Sequence, residues 1–450
     1  MNEESLYVKN IDKLMSLTNF EYEKSKNNPP GFHLERVEYM MKKFNYPNKN
    51  QVFIHVAGSK GKGSTSNLIS NGLMQYKVGL FTSPHMHSVT ERIKINNSPI
   101  SKKLFNKYFV KVWKIVSIMK NDLSQRPSFF EFMTLLSLVI FRDEKVDLSV
   151  IEVGLGGRLD STNVIEPTVC VITQISKDHT KILGNTIKKI SYEKAGIIKK
   201  NIPVVTSNQV KNAHEVIQLS AKKNNAKLFT SKNIELIKNK ANSINNMEQK
   251  LKLLNKYKFT TSLLGKHQLE NIKTALKSID VFLKIKSITP NWELITKNIS
   301  KTHMIGRCEI INKSGIKNVI DGAQNIKSTK ALIDVLKIQK VNFDNLIWIY
   351  GGSEGHNSLD TLRPIKKFNP KIIITKSRIP KAKNPTKIHK EIKDLRLNII
   401  ELTNNTKEAY KIAKSIIDFD GVIVAFGSLY IASEIIEIIK EIKPEKYNYE

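Results

Sequence analysis

The sequence predicts an α/β protein with a largely parallel sheet, divided into two units at residues 1–304 and 305–450. Three observations carry this reading. Short apolar runs alternate with amphipathic stretches, the pattern of parallel strands covered by helices. One apolar run, residues 51–56, leads straight into a glycine- and lysine-rich segment and then a helical period. The alternation also begins afresh after Met304-Ile305-Gly306-Arg307.

The elements follow in order. Residues 1–30 are polar and read as a helix closed by the turn Asn27-Asn28-Pro29-Pro30-Gly31. Residues 34–41 form a short amphipathic helix. The strand 51–56 feeds Gly58-Ser59-Lys60-Gly61-Lys62-Gly63-Ser64, and residues 66–74 continue at helical spacing. Strand, glycine loop and helix make a phosphate cradle of P-loop type. Glycines let backbone N–H groups approach phosphates, and the helix N-terminus adds partial positive charge. Lys62 is placed to reach the β- and γ-phosphates and Ser64 to help hold Mg²⁺. The spacing departs from the usual pattern, because Gly63 separates Lys62 from Ser64.

Residues 78–81 are a strand ending in Thr82-Ser83-Pro84-His85, and residues 101–120 and 129–142 are helical by period. Strands follow at 146–153, ending in Gly154-Leu155-Gly156-Gly157, at 167–175, ending near Asp178-His179-Thr180, and at 202–206. Residues 221–260 are rich in Lys and Asn with weak periodicity and read as a peripheral region. Gly265 opens a helix over 266–284. Past residue 305, apolar strands at 319–322, 346–352, 372–375 and 422–427 alternate with helices, as in a smaller Rossmann-like domain.

Composition narrows the function. The net charge of +32 invites a nucleic-acid reading, but only nine of the 73 basic residues are Arg and the lysines are spread along the whole chain. Base readers lean on Arg forks, so we expect no dedicated nucleic-acid partner, though polyanionic substrates are attracted. Against this background Arg158 and Arg307, each beside glycine, are candidates for tasks that need a planar fork. No run of about 18 apolar residues occurs, so no membrane span is expected. The N-terminus lacks a basic and apolar leader, and Cys170 and Cys308 are the only cysteines. Both point to a reducing cytoplasm.

In open parallel sheets ligands bind beyond the carboxyl ends of the strands. The phosphate loop, Ser83, Glu152 and Asp178-His179 therefore belong to one rim, where hydroxyl, carboxylate and imidazole groups around a triphosphate suit Mg²⁺. A carboxylate inside the apolar run Ser149-Val150-Ile151-Glu152-Val153 is costly to bury without a partner.

These segments resemble the folylpolyglutamate synthase/dihydrofolate synthase family of the Mur ligase superfamily. The matching stretches include residues 55–64 and Gly79-Leu80-Phe81-Thr82-Ser83-Pro84-His85. The most specific is Ile151-Glu152-Val153-Gly154-Leu155-Gly156-Gly157-Arg158-Leu159-Asp160-Ser161-Thr162-Asn163. Glu193-Lys194-Ala195-Gly196, Gly265-Lys266-His267-Gln268, Gly306-Arg307, Asp321-Gly322-Ala323 and Phe426-Gly427-Ser428 continue the series.

The resemblance implies an ATPase-type first domain in which Gly58, Ser59, Lys60, Gly61, Lys62, Gly63 and Ser64 hold ATP phosphates. It implies Ser83 and Glu152 on one Mg²⁺ and His179 on a second. Lys194 corresponds to a lysine that is carbamylated in the family. Asn271 faces adenine, Arg307 and Asp321 meet the nucleotide from the second domain, and Gln324 and Ser428 bind substrate. Lys62, Lys194, His179 and Arg307 form the expected catalytic set. The implied reaction is ATP-dependent addition of L-glutamate to a folate or dihydropteroate carboxylate through an acyl phosphate, carried out by a monomer.

Two segments depart from the family pattern. Gln324 stands where the family has His, and Gln cannot become cationic. The loop Gly351-Gly352-Ser353-Glu354-Gly355-His356 replaces a Lys- and Asp-containing one. Other readings are a different Mur-type amide ligase, a nucleic-acid-binding ATPase, and a catalytically weakened homologue flagged by Gln324.

Overall fold

β1, Phe53–Ala57, is buried along its whole length because it runs between two other buried parallel strands. Covered on both faces, it reads as a near-continuous apolar run and not as an alternation. A computed structural model describes residues 2–18, 34–119, 126–238, 248–418, 420–445 and 447. The turn expected at 27–31 lies outside them.

Around β1 stand β2 (Val78–Phe81), β3 (Ile93–Ile95), β4 (Ser98–Pro99), β5 (Leu148–Glu152), β6 (Val169–Ile172), β7 (Val204–Thr206) and β8 (Leu228–Thr230). Their order is β4-β3-β2-β5-β1-β6-β7-β8, parallel except for the antiparallel pairings of β3 with β2 and with β4. The register sets Val56 opposite Glu152 and Ala57 opposite Ile172, so the strands end level and their loops share one rim.

Helices cover both faces. On one, Leu68 and Ile69 of helix Lys62–Gly72 pack with Ile272 and Ile279 of helix Lys266–Ile285. On the other, Phe105 and Phe109 of helix Lys102–Met119 meet Phe132 of helix Phe129–Asp143. Each fully buried ring contributes about 1.5–3 kcal/mol of apolar burial.

Residues 221–260 hold more order than their composition predicts. Within them β9 (Leu236–Lys238), β10 (Gln249–Leu253) and β11 (Tyr257–Thr261, reaching one residue past 260) form a small antiparallel sheet. Leu251, Leu253 and Phe259 are buried while Lys250 and Lys258 are exposed. This is a two-residue period, hidden by the prevalence of lysine.

The second sheet contains β12 (Glu309–Lys313), β13 (Ile316–Ile320), β14 (Leu346–Tyr350), β15 (Lys371–Ile374), β16 (Asn398–Leu402) and β17 (Val422–Phe426). Its order is β12-β13-β17-β14-β15-β16, with only β12 antiparallel. The four predicted strands are β13, β14, β15 and β17. The two that sequence reading missed, β12 and β16, are the edges. Their half-exposed polar residues weaken the apolar signal. Among the described residues no helix is long and apolar enough to cross a membrane.

Candidate active site

The loop after β1 is held in shape by its own backbone. The N–H groups of Ser59 and Lys60 both donate to the carbonyl of Gln174, at 3.1 Å each, which ties the loop to the end of β6. Gly61 then takes φ 87° and begins helix Lys62–Gly72. A Cβ at Gly61 would lie 2.1 Å from Oδ1 of Asn271, so glycine is required twice, by conformation and by contact. Asn271, expected to face adenine, is thus packed against the phosphate loop, its amide donating to Gln268 Oε1 at 2.8 Å. The first N–H groups of the helix have no carbonyl a turn behind them and remain available to an anion.

Side chains from three other strand ends converge here. Glu152, the last residue of β5, is buried, and its carboxylate would lie 3.5 Å from a Cβ placed on Gly63. The N–H of Ser83, just past β2, donates to Glu152 Oε2 at 3.1 Å. Beyond β6, Asp178 pairs with Lys60 at 2.8 Å. His179 follows at φ 49° and opens the short helix Thr180–Leu183. Lys194, on helix Ile187–Ala195, reaches across to donate to the carbonyl of Gly58 at 2.9 Å.

The electrostatics of this cluster are strained. Burial raises the Glu152 carboxyl to about 7, against the opposing pull of Lys62, the Ser83 N–H and Arg307. Burial, reinforced by Lys62, lowers the Lys194 amine to about 7. Burial lowers His179 to about 4, with Lys62, Lys194 and Lys60 acting the same way and Asp178 opposing. Burial would raise Asp178, but the charges of Lys60 and His179 outweigh it and hold that carboxyl below its ordinary range.

The second unit faces the same rim. Arg307 acts on Glu152, as above. His267, on helix Lys266–Ile285, is lowered by burial, with Asp321 raising it and Arg307 lowering it further. Asp321 accepts from the Cys308 N–H at 2.8 Å and so braces the turn that carries Arg307. His356, after β14, is lowered by burial and feels both Asp178 and Lys60 across the cleft. Sequence reading noted His356 only as part of a divergent loop and passed over His267. His267 lies in the matching segment Gly265-Lys266-His267-Gln268 but was given no role there, and each of the two matters through a long-range neighbour.

Other predicted residues are engaged in shaping the fold. Ser428 accepts from the Ile431 N–H and caps helix Leu429–Lys440. The backbone N–H of Gln324 donates to Ser328 Oγ at the start of helix Ile326–Ile338. Arg158 uses its fork on Glu193, with Nη2 to Oε1 at 3.0 Å, and lies beside the Tyr192 ring. Asp160 accepts from the Leu155 and Thr162 N–H groups, ordering the glycine-rich turn after β5.

A divalent cation fits this arrangement through few protein ligands. Among the described residues no three His, Cys, Asp or Glu side chains converge. Mg²⁺ commonly takes one or two carboxylates and completes its shell with phosphate oxygens and water. Glu152 suits that role, since its buried ionised form has no ion-pair partner among the described residues.

Comparisons with known proteins identify the family. The Mur ligase middle domain family matches residues 56–279. A folylpolyglutamate synthase of Candida albicans is 31% identical over 84% of this chain and 78% of its own length. A dihydrofolate synthase/folylpolyglutamate synthase of Bacillus subtilis is 33% identical over 69% of this chain and 73% of its own. With several other relatives the match spans only 37% to 54% of their length. The crystal structure of a folylpolyglutamate synthase from Thermotoga maritima superposes with a TM-score of 0.82 at 27% identity, covering 99% of both chains. The chain therefore belongs to the folylpolyglutamate synthase/dihydrofolate synthase family of ATP-dependent, Mur-type ligases.

Proposed function

We propose that this chain joins L-glutamate to the carboxylate of a folate, using ATP to activate that carboxylate as an acyl phosphate. The observation that carries the reading is the meeting of the Gly58–Ser64 loop, Glu152, His179 and Lys194 on one rim with Arg307 opposite. In this reading residues 1–304 bind ATP and residues 305–450 bring glutamate to it.

The helix N-terminus at Lys62 and the Lys62 ammonium hold the β- and γ-phosphates. The folate carboxylate attacks the γ-phosphorus and ADP leaves. The amine of glutamate then attacks the acyl carbon, and phosphate leaves. Ser64, Ser83 and Glu152 would hold one Mg²⁺ and His179 a second, and these would supply neutralisation of phosphoryl charge. Arg307 adds a cation from the second unit, and Asn271 and Asp321 fix the nucleoside. Closing the two units over the acyl phosphate keeps water from hydrolysing it. Lys194, lowered to about 7, keeps a neutral fraction near neutral pH, the form that takes up carbon dioxide as a carbamate. An ammonium there would repel a nearby cation, whereas a carbamate would attract it. Gln324 and Ser428 sit at the second unit's strand ends, where glutamate would bind. We take the active form to be a monomer in the cytoplasm.

ADP release tests the reading. With Mg²⁺ and ATP, ADP is expected only when both L-glutamate and a pteroyl acceptor, tetrahydrofolate or dihydropteroate, are present. ADP formed in the absence of both acceptors would mark a simple ATPase and overturn the proposal.

A further inference from the structure

The segment between β2 and β3 carries Ser83 at one end and Arg92 at the other, closed by the Thr82 N–H donating to the Arg92 carbonyl at 3.0 Å. Its middle leaves the first unit and lies against the second. The Met86 carbonyl accepts from Ser433 Oγ at 2.6 Å, and His87 Nδ1 pairs with Glu437 Oε1 at 3.0 Å. Arg378 binds the same Glu437 through both guanidinium ends, at 2.6 and 2.9 Å. Ser433 and Glu437 lie on helix Leu429–Lys440. The segment that delivers Ser83 to Glu152 is therefore also a joint between the units.

Past that helix the chain turns back onto the same segment. Glu445 Oε2 accepts from the Val89 N–H at 2.9 Å, and Oε1 accepts from the Tyr7 hydroxyl at 2.5 Å. The Tyr447 hydroxyl donates to Glu445 Oε2 at 2.5 Å and lies 2.8 Å from His85 Nε2. Arg92 Nε donates to His85 Nδ1 at 2.8 Å.

The protons in this chain can be counted. Arg92 Nε carries one hydrogen, so Nδ1 of His85 must accept. The imidazole hydrogen then sits on Nε2 and points at the Tyr447 oxygen, whose own hydrogen goes to Glu445. Along this path each of the three hydrogens has one acceptor, and the order from guanidinium to carboxylate runs in a single direction. Arg92 and His85 are buried, so breaking the relay strands polar groups away from water.

We propose that Glu445 and Tyr447 are positioning residues for the metal-binding segment, tying the placement of Ser83 beside Glu152 to the docking of the two units. The inference rests on the reading of Ser83 and Glu152 as Mg²⁺ ligands. Neither residue touches the reacting groups. Each acts through His85 and Val89 on a segment whose first residue is Ser83.

The test is Mg²⁺-dependent binding of a non-hydrolysable ATP analogue to the full chain, followed by calorimetry, beside hydrogen exchange of residues 83–92. In Glu445→Ala and Tyr447→Phe the Mg²⁺ concentration for half-maximal binding is expected to rise about three- to tenfold, the weight of one or two hydrogen bonds. Exchange at Val89 should quicken, and kcat at saturating Mg²⁺ should stay within about twofold. Glu445→Gln, which keeps one acceptor oxygen, should recover part of the loss. Lys313→Ala, which breaks only the exposed Lys313–Glu441 pair, controls for general loosening near the C-terminus and should leave the midpoint in place.

Unmoved midpoints in Glu445→Ala and Tyr447→Phe, with Glu152→Gln shifting as expected, would overturn the positioning role alone. An unmoved midpoint in Glu152→Gln would overturn the metal assignment and this inference with it.

Discussion

Replacing Glu152 by Gln should make the metal-free protein more stable at alkaline pH while it weakens Mg²⁺ use. The carboxyl is buried, and its pKa is raised from 4.5 to about 7. An acid whose folded pKa is raised binds its proton more tightly in the folded than in the unfolded chain. Below about 4.5 both states are protonated and nothing is lost. Between 4.5 and 7 the folded chain binds more protons, so stability falls as pH rises. Above 7 the full cost stands, about 3 kcal/mol.

Gln never ionises and keeps an oxygen to accept from Ser83, so it removes that cost. Its amide hydrogens face Lys62 and Arg307, which returns part of the gain, and a net of about 1–3 kcal/mol remains. Thermal or urea unfolding in chelator at pH 8 measures it. The comparison should use the first transition, since a chain of two units need not unfold in one step. The advantage should shrink below about 1 kcal/mol at pH 5, where wild-type Glu152 is already protonated when folded. Mg²⁺-dependent ADP formation should meanwhile need far more metal. A variant less stable than wild type at pH 8 in chelator, with an unchanged Mg²⁺ titration, would refute both the burial argument and the metal role.

Lys62→Ala removes the ammonium at the head of helix Lys62–Gly72 and should cost at least about 10²-fold in kcat, by the scale of lost transition-state donors. Steady-state ADP formation measures this, and near-normal turnover would take Lys62 out of the mechanism. Gln324→His restores a group able to become cationic at the start of helix Ile326–Ile338. Turnover should rise or the glutamate KM should fall, most clearly below pH 6.5, where an ordinary imidazole is mostly protonated. No change in either would show that the glutamine is a neutral replacement.

The parallel core was legible because it repeats one signal. β1, β5, β6, β14 and β17 are uniformly buried, so apolar runs mark them wherever they stand. β12, β16 and the β9–β11 sheet were not, because much of each faces water, with lysine or asparagine at most exposed positions of β12 and β10 and Asn398, Ile400 and Glu401 exposed on β16. The candidate site shows the same division. Gly61, Lys62, Glu152 and His179 lie in local patterns with a stated chemistry. His356, Tyr447 and Glu445 gain meaning only from residues far away in sequence, and no periodicity reports such a pairing. Ser428 shows the converse, since a residue at a family-like position has its hydroxyl committed to capping a helix.

The first unit gathers the ammonium groups of Lys60, Lys62 and Lys194 and the His179 imidazole around one loop, with Asp178, Asp160 and Glu152 as opposing carboxylates. The second unit brings Arg307 and His356 to the same place. Without a polyanion, approach of the two units brings the Arg307 cation towards the Lys60 and Lys62 cations. With a triphosphate in the cradle, Lys62 and Arg307 would each gain a partner. A ligand moves an equilibrium only by its differential affinity for the two states, and here the differential would be the Arg307 cation that the closed form adds. The strained protonation of Glu152, Lys194 and His179 is on this view the unliganded half of a site built for the nucleotide. On this view closure would be coupled to substrate and not to thermal motion alone. On the positioning role proposed above, the segment from Ser83 to Arg92, held by Glu437, Glu445 and Tyr447, would carry the same event to Ser83 beside Glu152.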